Sequence, residues 1–345
     1  MAASRRFSGP VLAALLVNAA VSARQADTTR EYRYLMGTSV EVEDSGGDLA
    51  GRQAAIAEAF AAIAEVDRLM SNYRDDSELS RVNQMAAREA VPVSDPMLSV
   101  LRAAQLVSSR SGGAFDVTIG PLVALWGFHD KKPRVPTAAE LAAARLVVDY
   151  HNLLIDDVQH SVRFTRSGVA IDLGGIAKGF AVEIAANVLR RRGLSGFVDA
   201  GGNQYLLGTP AGKTVWTVGV KNPDARDRLL GVIETHETSV STSAEYANFL
   251  TIDGRTYGHI LDPHTLQPST ASLSVTVLSR DGTLADAVST AAFLLGPQKG
   301  LALIDSFEGM SGIIAYRQPD GAIGLAMSPG LHGAFHRYST PRPAR

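Results

Sequence analysis

LSVTVLSRDGTLADAVSTAAFLLG, Leu273–Gly296, carries both kinds of regular structure in one short run. From Leu273 to Leu278 apolar and polar side chains alternate, the period of a strand. Between Gly282 and Gly296 the apolar residues recur at helical spacing, and the two glycines bound the helix. Asp286 and Thr290 lie one helical turn apart and so face one direction. A carboxylate and a hydroxyl on one face make a partial shell for Mg2+, which takes hard oxygens and draws the rest from water, backbone and substrate phosphate. Spacing alone favours a purely structural reading: Thr283 as N-cap with Asp286 three residues on, and Thr290 bonded back to a carbonyl.

Outward from this stretch, strands and helices do not alternate regularly. Short strands are predicted around Leu153, Val162, Phe197, Val215, Leu230, Val240, Phe249 and Tyr257, with a helix through Leu301 and two terminal strands after it. In the first half, EYRYLMGTSVEVED (Glu31–Asp44) predicts a hairpin about Met36-Gly37-Thr38, and Arg52–Leu69 a long amphipathic helix. MSNYRDDSELSRVN (Met70–Asn83) reads as a polar loop with a short turn, and Met97–Val107 as a second helix. SRSGGAFDVTIGPL (Ser109–Leu122) reads as a glycine turn entering a short strand, with Pro121 in the first turn of the next segment. Pro133–Ala144 predicts a polar hairpin-like excursion and a small helix after Thr137. This order gives an α+β fold, mainly antiparallel sheet with flanking helices, not a doubly wound one.

The chain has 345 residues and a formal net charge of −2, which leaves no concentrated basic face for a nucleic acid. Arg5 and Arg6 precede the apolar run PVLAALLVNAAVSA, too short for a permanent membrane anchor, and Val21-Ser22-Ala23 has the small-x-small pattern of a cleavage site. Residues 1–26 are therefore expected to be a cleaved signal peptide, and the bacterial periplasm is the expected compartment. There are no cysteines, which excludes disulfides, thiolate metal sites and a lipidated N-terminal cysteine.

IDLGGIAKGFAVE (Ile171–Glu183) puts Asp172, a bare Gly174-Gly175 corner and Lys178 within a turn and a half. A strand that ends in such a corner and opens a helix exposes unpaired N–H groups to an anion; the same corner also serves simply to pack a helix closely. YGHILDPHT places His259 at a strand end before the Asp262-Pro263 turn, either as a base near neutral pH or as a turn residue. Asp116 follows Gly112-Gly113 and reads as a partner for a ligand amide or hydroxyl. Tyr73 offers a stacking surface for a ring or a cap on the core.

Seven segments occur together and in order: MGTSVEV, MSNYRDDSELSRVN, GGAFDVTIGPL, IDLGGIAKGFAVE, VDAGGN, HILDPHT and SVTVLSRDGTLADAVSTA. In this the chain resembles the ApbE-type flavin transferases, FAD:protein FMN transferases. The resemblance implies a T-fold-like single domain over residues 27–345. It also implies Mg2+-dependent transfer of the FMN half of FAD to a threonine or serine hydroxyl of an acceptor flavoprotein, releasing AMP. Carried over by position, Met36, Tyr73, Ala114, Phe115, Asp116, Asp172, Lys178 and Ile260 are expected to line the FAD site. Gly175 through its backbone oxygen, Asp286 and Thr290 are expected to hold Mg2+, with Ser289 as an extra contact, and His259 to act as base. Leu266 departs from the family, which often has glycine after the DPxT motif, and no cysteine is present for a lipid anchor. An FAD pyrophosphatase would use the same site with water as acceptor. A non-catalytic flavin-binding protein would keep Tyr73 and Asp116 without needing Asp286 and Thr290 together. A Rossmann-type enzyme lacks its G-x-G-x-x-G after an early strand.

Overall fold

The hairpin predicted at Met36-Gly37-Thr38 forms. Strands β1 (Thr28–Leu35) and β2 (Thr38–Ser45) pair antiparallel from Thr28↔Ser45 to Leu35↔Thr38. Met36 and Gly37 both take positive φ, 51° and 73°, the two-residue turn whose twist matches its strands. The computed structural model describes residues 28–128, 132–245, 249–252 and 254–343. The expected signal peptide lies outside the described residues.

Helix α1 (Leu49–Met70) begins where the Asp48 side chain accepts from the Gly51 N–H, and it buries Ile56, Phe60, Ile63 and Val66 along one stripe. Next come α2 (Glu78–Met85), β3 (Val91–Pro92), α3 (Asp95–Arg110), α4 (Gly120–Trp126) and α5 (Ala138–Ala144). α5 starts after Thr137 as predicted, on a Thr137–Glu140 capping box. β4 (Leu153–Asp156) and β5 (Ser161–Phe164) form a small sheet with β3. α6 (Ala177–Arg191), β6 (Ser195–Ala200), β7 (Asn203–Leu207), β8 (Trp216–Asn222), β9 (Ala225–Thr235) and β10 (Thr238–Ala244) follow. Two short ribbons, β11 (Phe249–Ile252) with β12 (Arg255–Gly258) and β13 (Leu261–Asp262) with β14 (Gln267–Pro268), lead to β15 (Ser274–Ser279) and α7 (Gly282–Asp305). The chain ends with β16 (Ser311–Arg317), β17 (Ile323–Met327) and β18 (Phe335–Pro343).

The main sheet has eight strands in the order β1-β2-β6-β7-β10-β15-β16-β17, and every pairing is antiparallel. α1, α6 and α7 cover one face, where Val42, Val198, Val275 and Ile314 pack with Ile56, Phe60, Val182 and Phe293, and α3 packs against α7 and α1. A three-stranded sheet, β18-β9-β8, covers part of the other, joining Leu206, Val240, Leu278 and Ile313 to Val218, Ile233 and Phe335. Each fully buried side chain of this size contributes about 1.5–3 kcal/mol. The α+β expectation holds.

Four local expectations fail. The second half of the MSNYRDDSELSRVN loop is helix α2, because the Ser77 hydroxyl caps it by accepting from Ser80 N–H while Leu79 and Val82 are buried. The segment after Gly112-Gly113 is no strand: Asp116 caps a 3-10 turn over Val117–Ile119 that runs into α4. The residues before the Gly174-Gly175 corner join no sheet. The terminal strands number three, not two. α7 has its expected break at Gly296, whose φ of 75° interrupts the helix before Pro297. In β15 the alternation does not mark a half-exposed strand, since Ser274 and Thr276 are buried as well.

Candidate functional site

α6 and α7 meet backbone to backbone at two glycines. A Cβ on Gly179 would sit 2.1 Å from the Gly282 carbonyl oxygen and 2.6 Å from Asp286 Cβ, so only glycine permits this approach. At that crossing each helix caps the other. The Gly179 N–H, an orphan donor in the first turn of α6, donates to Asp286 Oδ2 at 2.8 Å. In return Glu183 of α6 accepts from the N–H groups of Gly282 (2.9 Å) and Thr283 (3.2 Å) and from the Thr283 hydroxyl (3.2 Å). Asp281, not Thr283, is the N-cap of α7, accepting from Leu284 N–H at 2.7 Å. The capping box considered for Thr283 and Asp286 is therefore not formed.

Asp286 is 4% exposed. Burial raises its carboxyl above the usual range, while the Lys178 charge and the hydrogen bonds from Gly179, Ser241 and Asn203 oppose that shift. Thr290 follows one turn on, its hydroxyl 3.2 Å from Ser243 Oγ. Ser289 bonds Ser243 at 2.8 Å and donates to the Asp286 carbonyl at 2.9 Å. Ser241 reaches Asn203 Oδ1 in a short hydrogen bond. One carboxylate and a ring of hydroxyls thus gather where α7 lies on β10 and β7. Asn203, Ser241 and Ser243 escape the sequence reading. Asn203 closes the VDAGGN segment, and the signal for the two serines is the run of small hydroxyl residues in TSVSTSA (Thr238–Ala244), in a strand where larger apolar side chains are common.

The Gly174-Gly175 corner reaches this cluster. A Cβ on Gly175 would lie 3.2 Å from the Phe115 ring and 3.4 Å from the Thr290 hydroxyl, so the bare backbone sits between them. Asp172 shapes the corner, its two oxygens accepting from Gly174 N–H and from the Asn72 amide, both at 2.8 Å. Lys178 Nζ spans the turn to donate to the Gly174 carbonyl at 2.8 Å. Asn83 clamps the segment before it: its Oδ1 accepts from Ile171 N–H at 2.7 Å and its amide donates to the Ile171 carbonyl at 2.9 Å. This amide takes the place of a neighbouring strand.

Ala114 and Phe115 are buried, and Asp116 is 7% exposed with its Oδ1 accepting from both the N–H and the hydroxyl of Thr118 at 2.7 Å. Burial pushes the Asp116 carboxyl up to about 6 against those hydrogen bonds. Of the three, Phe115 reaches the corner with its ring. Met36 is half-buried in the β1–β2 turn, which abuts the VDAGGN turn: a Cβ on Gly201 would lie 2.6 Å from the Thr38 hydroxyl. Tyr73 is 71% exposed beside Asn72, as a ring-stacking surface requires.

His259 follows directly on β12, at the strand end where it is expected, and is half-buried, with Ile260 buried after it. β10 links this segment to the hydroxyl cluster, because Glu245, two residues past Ser243, packs over Gly258. At the following turn Leu266 takes φ 60°, the left-handed conformation that favours glycine. Its side chain is 1% exposed against Leu122 and Trp126, and its carbonyl accepts from Trp126 Nε1 at 3.2 Å. Leu266 keeps the glycine-like backbone and adds apolar burial.

The ApbE family profile matches residues 36–314. The FAD:protein FMN transferase of Vibrio cholerae serotype O1 is 35% identical over 267 residues, covering 74% of this chain and 79% of that protein. The crystal structure of the ApbE protein from Thermotoga maritima superposes with a TM-score of 0.80 at 32% identity, covering 87% of this chain and 97% of that one. The flavin transferase ApbE from Vibrio cholerae gives 0.81 at 30% identity, covering 90% and 99%.

Proposed function

This chain belongs to the ApbE family, and from that membership we infer that it transfers the FMN half of FAD to an acceptor protein. The acceptor group is a threonine or serine hydroxyl, the reaction depends on Mg2+, and AMP is the leaving product. The observation that carries this reading is the meeting of the Gly174-Gly175 corner with the Asp286–Thr290 face of α7.

The donor set fits a hard cation: one carboxylate, two hydroxyls and a bare glycine backbone within reach of them. Asp286, Thr290 and the Gly175 main-chain oxygen would hold Mg2+, with Ser289 beside them. When bound, the ion supplies positive charge against phosphate oxygens. Lys178 adds a second positive charge at the corner, and Gly174-Gly175 lets the pyrophosphate approach the backbone. Transfer of this type needs positioning and charge neutralisation above all. In this reading Tyr73 offers its exposed ring to a flat part of FAD, and Met36 and Ile260 are further contacts to the same ligand. The acceptor hydroxyl oxygen bonds to the FMN phosphorus as the bridging P–O bond to AMP breaks, and His259 takes the hydroxyl proton.

Export to the bacterial periplasm is supported by the arginines, apolar run and small-x-small pattern at the N-terminus. There the chain would meet envelope flavoproteins as acceptors. The decisive experiment incubates it with FAD, Mg2+ and a candidate envelope flavoprotein, and weighs the acceptor by mass spectrometry. A gain of one FMN group supports transfer; FMN and AMP released with no gain would make water the acceptor and reject it. His259→Asn should keep FAD affinity and melting temperature but slow transfer by about two to four decades, with a smaller loss at high pH. Transfer at the unmodified rate would exclude the base role.

A further inference from the structure

α6 and α7 open on the same short pattern, a glycine with an acid four residues on: GFAVE (Gly179–Glu183) and GTLAD (Gly282–Asp286). Residues four apart share a helix face, so in each helix the glycine and the acid point the same way. The two faces meet. Gly179 N–H donates to Asp286 Oδ2 at 2.8 Å, and Gly282 N–H donates to Glu183 Oε2 at 2.9 Å. Thr283 adds its N–H and its hydroxyl to the same Glu183 oxygen, each at 3.2 Å. Both glycines are bare for one reason. A Cβ on Gly282 would lie 2.8 Å from the Gly179 carbonyl oxygen and 3.3 Å from Glu183 Cβ, the counterpart of the obstruction met at Gly179. Each acid therefore holds the first turn of the helix to which it does not belong.

Asp286 belongs to the metal site proposed above, whereas Glu183 has no part in it. Resting on that Mg2+ reading, we propose that Glu183 is a positioning residue for the metal site: it fixes the start of α7 on α6 and so sets Asp286 and Thr290 opposite Gly175. The connection is short and stiff. Gly175 stands four residues before Gly179, just ahead of α6, and Thr290 lies about two turns past Gly282 in α7. Without Glu183, the bond from Gly179 to Asp286 would be the one left of these four. The acid that faces the cation would then also have to hold the two helices together. Asp281 would still cap Leu284 N–H, so α7 itself would form. What would be lost is its register on α6, and with it the spacing between the Gly175 backbone and the α7 oxygens.

The test titrates Mg2+ by calorimetry into the protein saturated with ADP, which carries a pyrophosphate but no flavin to transfer. Glu183→Met fills the same space without an acceptor. Glu183→Gln keeps an oxygen at the same reach, and one oxygen suffices because all three donors converge on Oε2. Glu183→Met should bind Mg2+ about tenfold more weakly, the low end of what a lost supporting partner costs a metal site, with ADP affinity in EDTA unchanged. Glu183→Gln should recover most of that loss. Should Glu183→Met fail to melt cooperatively, Thr283→Val, which removes one of the three contacts, should weaken Mg2+ in the same direction. Unchanged Mg2+ affinity in Glu183→Met, or in Thr283→Val where that variant stands in, would leave Glu183 a helix cap only and overturn the proposal. A Glu183→Gln protein as weak as Glu183→Met would overturn it as well, since charge rather than an acceptor would then matter. Equal losses of Mg2+ and metal-free ADP would mean a general loosening and reject it. Asp286→Asn, run alongside, separates the two readings: if it too binds Mg2+ normally, the metal reading itself has failed and the proposal falls with it.

Discussion

Replacing Gly179 with alanine tests whether the crossing of α6 and α7 sets the geometry of the site. The added methyl would start 2.1 Å from the Gly282 carbonyl oxygen and 2.6 Å from Asp286 Cβ, and the first of these obstacles is main chain. No rotamer change relieves that contact, so the helices must separate by on the order of 1 Å. Overpacking of this kind costs about 1–3 kcal/mol, which for a chain of this size is a fall of several degrees in melting temperature, at roughly 2–4 °C per kcal/mol. The same shift lengthens the 2.8 Å bond from Gly179 N–H to Asp286 and moves Asp286 and Thr290 relative to Gly175. A displacement of about 1 Å can cost about 10²-fold in rate. FMN transfer should therefore fall by about two decades in a protein that still melts cooperatively. Calorimetry and an FMN-transfer assay on one preparation check both numbers. A Gly179→Ala protein with unchanged melting temperature and rate would refute the close crossing and the role built on it.

The buried Asp286 calls for two variants. Asp286→Asn keeps an acceptor for Gly179 N–H and removes a charge that burial disfavours, so it should melt at or above the unmodified temperature at pH 7.5 yet lose Mg2+-dependent turnover. Asp286→Ala should lose about 1–3 kcal/mol by leaving that buried N–H unpaired, which urea unfolding will resolve. Far from this site, Asp44 is fully buried in β2; among the described residues its carboxylate oxygens have no hydrogen-bond partner, and Arg52 Nε lies 3.9 Å away. Burial raises it from 3.8 to about 6. The fold thus prefers the protonated acid: stability from this group is full below about pH 4, falls as pH rises, and is fully lost above about pH 6. Asp44→Asn should then gain up to about 3 kcal/mol over the unmodified protein between pH 4 and pH 7.5; equal urea midpoints at both pH values would contradict it. For Leu266→Gly, relief of the left-handed backbone returns about 1–2 kcal/mol, and loss of a buried leucine costs about 2–5 kcal/mol. The net result should be a destabilisation of about 1–3 kcal/mol, read by chemical denaturation.

Local periodicity determined much of this protein. The hairpin at Met36-Gly37, helices α1, α3 and α5, and the α7 break at Gly296 are each written in a short window of spacing, caps and glycines. The ordered motifs located the Gly174-Gly175 corner, and helical geometry alone put Asp286 and Thr290 on one face. Window reading failed where a segment's partner lies far along the chain. DVTIG (Asp116–Gly120) is rich in β-branched residues, but the Asp116 cap turns it helical. Ser274 and Thr276 look solvent-facing until β15 is placed in the middle of a sheet, where Thr276 pairs its hydroxyl with Thr242 at 2.9 Å. Ile171 finds its hydrogen-bonding partner in Asn83, 88 residues away, rather than in a strand. The joining of Asp286 to the corner likewise required tertiary structure. Gly179 and Gly282 are unremarkable in their own helices, and only their contact lets one helix's carboxylate cap the other helix's start. A buried N–H must find an acceptor wherever the fold brings one, and sequence spacing does not specify which residue that will be.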